Sequence, residues 1–200
     1  MGRAAIPLRG IILASRSKAR RKLLKEAGLS VRVAYADIDE SRLKNEPVSK
    51  YAIRVAYAKA KKIAGRGGRR GCPVIIGVDT VISIGKKILG KPKNRAEAFR
   101  YLKLLSGRTH KVYSGMAVID TKNGQIFKDV TISKVKFSKL SSKMIDWYIS
   151  TGEPLKAAGA YSIQEKGKAL VESIDGCLTS IIGISLPKLF RILGIGTLTS

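Results

Sequence analysis

The sequence predicts a mixed α/β or α+β fold, and three observations carry that reading. Residues 73–84, PVIIGVDTVISI, are apolar, small or hydroxylic with one exception, Asp79. A Val/Ile/Thr-rich run of this length reads as a strand buried on both faces. Residues 47–64 instead place Val48, Ala52, Val55, Ala56 and Ile63 at helical spacing. Residues 112–119 and 125–137 read as two strands joined by a hairpin at 120–124. No internal repeat, low-complexity linker or clear boundary divides the 200 residues, which suits one domain of one or two lobes.

The remaining elements follow in order. Residues 10–14 form a short buried strand, Ser15-Arg16-Ser17 a turn, and 18–27 a helix stopped by Gly28. Either serine can cap that helix. Residues 31–36 read as a strand that runs into Asp37-Ile38-Asp39-Glu40. Pro47 starts the long helix, and the basic stretch 65–71, GRGGRRG, is a loop leading to the central strand. Beyond that strand, Gly90-Lys91-Pro92 makes a corner in which Gly90 permits a close backbone approach. A helix over 95–105 turns Ala98, Tyr101, Leu102 and Leu105 inward. A further helix spans 141–149, a loop at 159–164 leads into another extended segment, 170–174 is a strand and 186–193 a last helix.

Composition narrows the function classes. At 44% hydrophobic residues the chain can build a core, and no apolar run approaches the ~20 residues of a membrane helix. The apolar run near the start, 11–14, is too short for a secretory signal, and two distant cysteines, Cys72 and Cys177, suggest no disulfide framework and no zinc knuckle. Both fit reduced thiols in a cytoplasmic protein. A single histidine, His110, excludes a multi-histidine metal site and reads as a structural hydrogen-bonding residue. Any metal would have oxygen ligands, which suits magnesium or manganese. The net charge of +25, from 39 Lys and Arg against 14 acids, draws polyanions such as nucleotides or nucleic acid. Sequence-selective nucleic-acid binding would need stacking aromatics. These make up only 6% of the chain, and most tyrosines fall at core-like positions. Salt-sensitive, non-specific binding is the expectation on that side.

With acids so scarce, their placement matters. Asp79 either caps the turn after its strand or faces a cation, since a buried carboxylate is costly without a partner. Three of the 14 acids cluster at 37–40, as turn formers or metal ligands. Lys59 falls on the apolar stripe of its helix and either snorkels outward or aims at an anion. Ser15, Ser17 and a helix start carrying Arg16, Lys18, Arg20 and Arg21 would suit phosphate, or form an ordinary capped basic helix. Acids to hold a divalent cation and bases to hold phosphates are the equipment for attack of water on a phosphoanhydride.

The ordered stretches LASRSKARRKLL (13–24), DIDE (37–40), AYAKA (56–60), GVDTV (77–81), ILGKP (88–92), LSGRTHKVYSG (105–115), GEPLKAAGAYSIQ (152–164) and IIGISLPKL (181–189) resemble the Maf family of nucleoside triphosphate pyrophosphatases. The resemblance covers 11–193, leaving 1–9 as an N-terminal extension to a single Maf-like domain. It implies an inosine-triphosphatase-like fold of two α/β lobes, with a central mixed sheet and a deep cleft. It implies hydrolysis between the α and β phosphates, with magnesium or manganese, and a homodimer at the family level. By the same resemblance, Asp79 is the catalytic acid, Ser15, Arg20, Lys59 and Lys91 bind phosphates, and Glu40 with Asp79 sits at the metal. Direct proton acceptor and metal ligand both stay open for Asp79. Thr80 and Gln164 resemble the dTTP/UTP branch. Ala19 stands where the family carries an arginine linked with specificity, and it matches neither the dTTP/UTP branch nor the branch for methylated guanosine triphosphate. The alternatives are a basic nucleic-acid-binding protein and a related enzyme acting on modified purine triphosphates.

Overall fold

The computed structural model describes residues 10–66 and 73–195. The 1–9 extension, Cys72 and the greater part of the basic 65–71 loop lie outside the described residues. The elements run β1 (Ile11–Ala14), α1 (Lys18–Glu26), β2 (Val31–Val33), α2 (Val48–Ala64), β3 (Val74–Ile84), β4 (Lys87–Leu89), α3 (Arg95–Leu105), β5 (Thr109–Asp120), β6 (Ile126–Phe137), α4 (Ser142–Ser150), β7 (Val171–Asp175), α5 (Leu178–Ile182) and α6 (Leu186–Leu193). The strands make a seven-stranded mixed sheet in the order β2-β1-β3-β5-β6-β7, with β4 on β3. Asp79 lies on β3, and every residue of that strand is buried except half-buried Thr80, as its composition predicts.

The chain divides into two compact units. The first holds residues 1–79, 114–131 and 183–200, and the second 80–113 and 132–182. In the first unit, β1 pairs in parallel with β2 (Ile11↔Val31) and with the start of β3 (Ile11↔Val74, Ala14↔Gly77). Helix α2 is seated on these strands by two glycines. A Cβ at Gly77 would stand 2.0 Å from the Ala56 carbonyl oxygen, and one at Gly115 would stand 2.2 Å from that of Ala52. No side chain fits there, so the helix backbone lies directly against the sheet. Ile12, Ile63, Ile75 and Ile119 complete that core.

In the second unit, β4 pairs antiparallel with the end of β3 (Ile82↔Leu89), and β7 with β6 (Lys134↔Asp175). Its core gathers Leu89, Leu102, Leu105, Val112, Phe137, Tyr148, Tyr161 and Leu170.

Four expectations need correction. The strand expected over 31–36 stops at Val33, because β2 is the outer strand and its one partner, β1, ends at Ala14. The extended segment expected after 159–164 is instead a 3₁₀ turn, Lys166–Leu170, in which Gly167 packs so closely that a Cβ would stand 2.5 Å from the Ser162 carbonyl oxygen and from the Tyr148 hydroxyl. Gly90 opens on empty space, so no close approach requires it; its carbonyl accepts from Gly159 N at 3.0 Å. Tyrosines are less central to the core than expected: Tyr148 and Tyr161 are buried, whereas Tyr35 is exposed and Tyr51, Tyr57, Tyr101 and Tyr113 are half-buried.

Candidate active site

The first unit brings five of the expected residues into one electrostatic cluster. Gly77 and Asp79 are two apart on β3 and so share a face. That face carries α2 at Ala56 and Ala60, and Lys59 precedes Ala60. Lys59 is thereby delivered to Asp79, with Nζ 2.9 Å from Asp79 Oδ1. The same Nζ lies 3.1 Å from Glu40 Oε2. The Lys59 and Asp79 side chains are each 12% exposed and that of Glu40 is 51% exposed. Asp79 is therefore a buried carboxylate with the charged partner that burial demands, and Lys59 aims its ammonium inward. The anions it meets are side chains of the protein itself.

The turn after β1 supplies the next two residues. Ser17 caps α1, its Oγ accepting from Arg20 N at 3.3 Å. Ser15 Oγ accepts from Ser17 N at 3.2 Å and from Arg20 Nη1 at 2.9 Å. Arg20 Nε donates to the Gly183 carbonyl at 3.1 Å. A Cβ at Gly183 would lie 2.6 Å from that Nε, so only glycine leaves room for the guanidinium. Burial lowers the Arg20 pKa, and the nearby charges of Asp79 and Glu40 push it back up. The other basic residues of this helix start, Arg16, Lys18 and Arg21, are exposed, and Arg16 lies over the Tyr35 ring.

The acidic segment divides between its two readings. Asp39 forms a local turn, its Oδ1 accepting from Ser41 N at 2.8 Å. Glu40 reaches Lys59. Glu40 and Asp79 thus direct carboxylate oxygens toward one point, a donor set that suits a hard cation. Among the described residues, no three His, Cys, Asp or Glu side chains are grouped to hold a metal. The protein offers such an ion two carboxylates, the number magnesium commonly takes when substrate phosphates and water complete its shell.

The sequence pattern of the family described as "Maf-like protein" matches residues 10–195. The chain belongs to the Maf family. This Maf protein is 42% identical over 183 residues, 91% of its length and 94% of the relative's, to a dTTP/UTP pyrophosphatase of Clostridium botulinum (strain Okra / Type B1). It is 44% identical over 187 residues to the dTTP/UTP pyrophosphatase of Acetivibrio thermocellus, covering 92% and 93% of the two chains. A third dTTP/UTP pyrophosphatase, from Clostridium novyi (strain NT), is 42% identical over 185 residues, with 92% and 96% covered.

The other expected site residues are placed as follows. Ala19 is half-buried in the first turn of α1. Thr80, Lys91 and Gln164 belong to the second unit: Thr80 is half-buried on β3, Lys91 exposed after β4, and Gln164 exposed in a turn. His110 is buried in β5, its Nε2 2.8 Å from the Tyr161 hydroxyl, a structural contact as expected. Cys177 is half-buried, with Sγ 3.2 Å from Thr179 Oγ1. No described helix is long and apolar enough to cross a membrane. Sequence reasoning passed over Gly183, Tyr51 and Arg54, although Gly183 sits inside a recognisable stretch, IIGISLPKL.

Proposed function

We propose that this Maf protein is a nucleoside triphosphate pyrophosphatase that hydrolyses dTTP and UTP between the α and β phosphates, giving the monophosphate and pyrophosphate. The observation that carries this reading is the Asp79–Lys59–Glu40 array, with Arg20 in the field of both carboxylates. It occurs in a chain 42–44% identical to relatives named for that activity.

In the reaction, the water oxygen bonds to phosphorus as the bridging oxygen leaves with pyrophosphate. Asp79 receives the water's proton at its carboxylate, general-base work worth typically 10²–10⁴-fold. Lys59, Arg20, Ser15 and Lys91 bind phosphate oxygens, and Lys59 orients the Asp79 carboxylate through Oδ1. Phosphate binding at Arg20 would draw on a guanidinium already fixed by Ser15 and Gly183, so little motion is lost on docking. Glu40 and Asp79 would together hold magnesium or manganese. A bound divalent cation of this kind offsets phosphate charge and polarises the phosphoryl group. Ala19, Thr80 and Gln164 set the choice of base.

Product analysis tests the reading. With dTTP or UTP and magnesium, the expected products are equimolar monophosphate and pyrophosphate. Release of the nucleoside diphosphate and orthophosphate would overturn it. Faster turnover of inosine or methylated guanosine triphosphate than of dTTP would overturn the base preference.

A further inference from the structure

Glu40 reaches Lys59 from a segment with no regular secondary structure, and α2 holds that segment by two main-chain contacts and one side-chain pair. The Tyr51 hydroxyl donates to the Glu40 carbonyl at 2.8 Å. Arg54 Nη2 donates to the Ser41 carbonyl at 2.8 Å. Arg54 also makes a two-point pair with Glu46, at 2.7 and 2.9 Å, and the Glu46 carboxylate accepts from Leu43 N at 3.2 Å. Arg42 closes the far end by donating to the Glu46 carbonyl at 2.8 Å. Tyr51, Val55 and Lys59 are spaced i, i+4, i+8, so Tyr51 and Lys59 lie on one side of the helix. Arg54 lies over the Tyr51 ring, 5.6 Å from its centroid.

We propose that Tyr51 and Arg54 are positioning residues for the pyrophosphatase: they pin the 40–46 segment to α2 and so hold the Glu40 carboxylate at Lys59 and Asp79. The inference rests on the pyrophosphatase reading above. One rigid helix then carries both the ammonium and the clamp that brings its second carboxylate. The clamp acts through Glu40, because the Tyr51 hydroxyl holds that residue's own carbonyl.

A double-mutant cycle on dTTP hydrolysis separates this from a loop tie with no part in the reaction. Tyr51→Phe removes one hydrogen bond and is expected to lower kcat roughly 2- to 10-fold, with KM changed by less. In a Glu40→Gln background, the same substitution is expected to cost nothing further. Equal factors in both backgrounds, or an unchanged kcat in the single variant, would overturn the proposal. Arg54→Lys keeps the charge but loses the two-point fork, and it is expected to retain more kcat than Arg54→Met. Equal losses in the two would count against the fork. Hydrogen exchange of the 40–46 peptide, read by mass spectrometry, is expected to quicken several-fold in Tyr51→Phe, and an unchanged rate would contradict the clamp. That last measurement needs no turnover. A protein inactive on dTTP would sink the pyrophosphatase reading while still showing whether the clamp exists.

Discussion

Lys59 in the first unit and His110 in the second are both removed from solvent, and the two are stabilised in opposite ways. Lys59 is paired, with two carboxylates within 3.1 Å of its ammonium. Among the described residues His110 has no charged partner. It packs edge-on against Phe137 and Tyr161 at 5.1 and 5.4 Å between ring centres, and its Nδ1 has no hydrogen-bond partner among the described residues. Burial holds the imidazole neutral by pushing its pKa down to about 4, and raises that of the Tyr161 hydroxyl. One region pairs its buried charges, and the other excludes charge from its packing. Titratable groups in the interior are therefore not all candidates for function. The charged partner marks the difference.

The largest effect that could break this contrast is the pH response of His110. Its folded pKa of about 4 lies below its ordinary value, so between pH 6.5 and 4 the unfolded chain takes up a proton that the folded chain refuses. Stability from this group is complete above pH 6.5 and is lost as pH falls, by about 3 kcal/mol at pH 4. Urea denaturation at pH 7 and pH 4 should show His110→Gln losing less over that interval than the parent, by about that amount. Equal losses would mean that His110 is charged in the fold, like Lys59, and the contrast would disappear.

A smaller effect sharpens the other side. Gly77→Ala puts a methyl group where the Ala56 carbonyl stands 2.0 Å away, so α2 must lift from β3. A stability loss of about 1–3 kcal/mol is expected from the overpacking. Because Lys59 rides on α2, dTTP turnover should fall beyond what the unfolded fraction explains. In His110→Gln, turnover per folded molecule should hold. A Gly77→Ala protein with intact specific activity would show that Lys59 is not delivered by that close approach.

Much of the first unit was legible because its signals are local. Asp79 interrupts an otherwise apolar run, Lys59 interrupts an apolar stripe, and Ser15 and Ser17 precede a helix, each visible within a dozen residues. The Glu40–Lys59 contact was harder to foresee: it spans 19 residues and depends on an irregular segment that Tyr51 and Arg54 tie to α2. Gly183 was hidden for a similar reason. Its partner, Arg20, is 163 residues away, and a glycine's role appears only when a neighbour fills the space of its missing side chain. In the second unit, the 3₁₀ turns and five-residue α5 are too short to impose a helical period on the sequence. There Ser162 N donates to the Tyr148 hydroxyl at 3.0 Å, a side-chain partner that no strand pattern announces.

Charge retained beside Asp79 is the centre of this account, and Asp79→Asn tests it most directly. Asparagine keeps the side-chain shape and loses the proton acceptor. The account predicts a folded protein whose dTTP hydrolysis per folded molecule falls by about 10²–10⁴-fold. A folded Asp79→Asn protein that releases pyrophosphate from dTTP at the parent rate would contradict it.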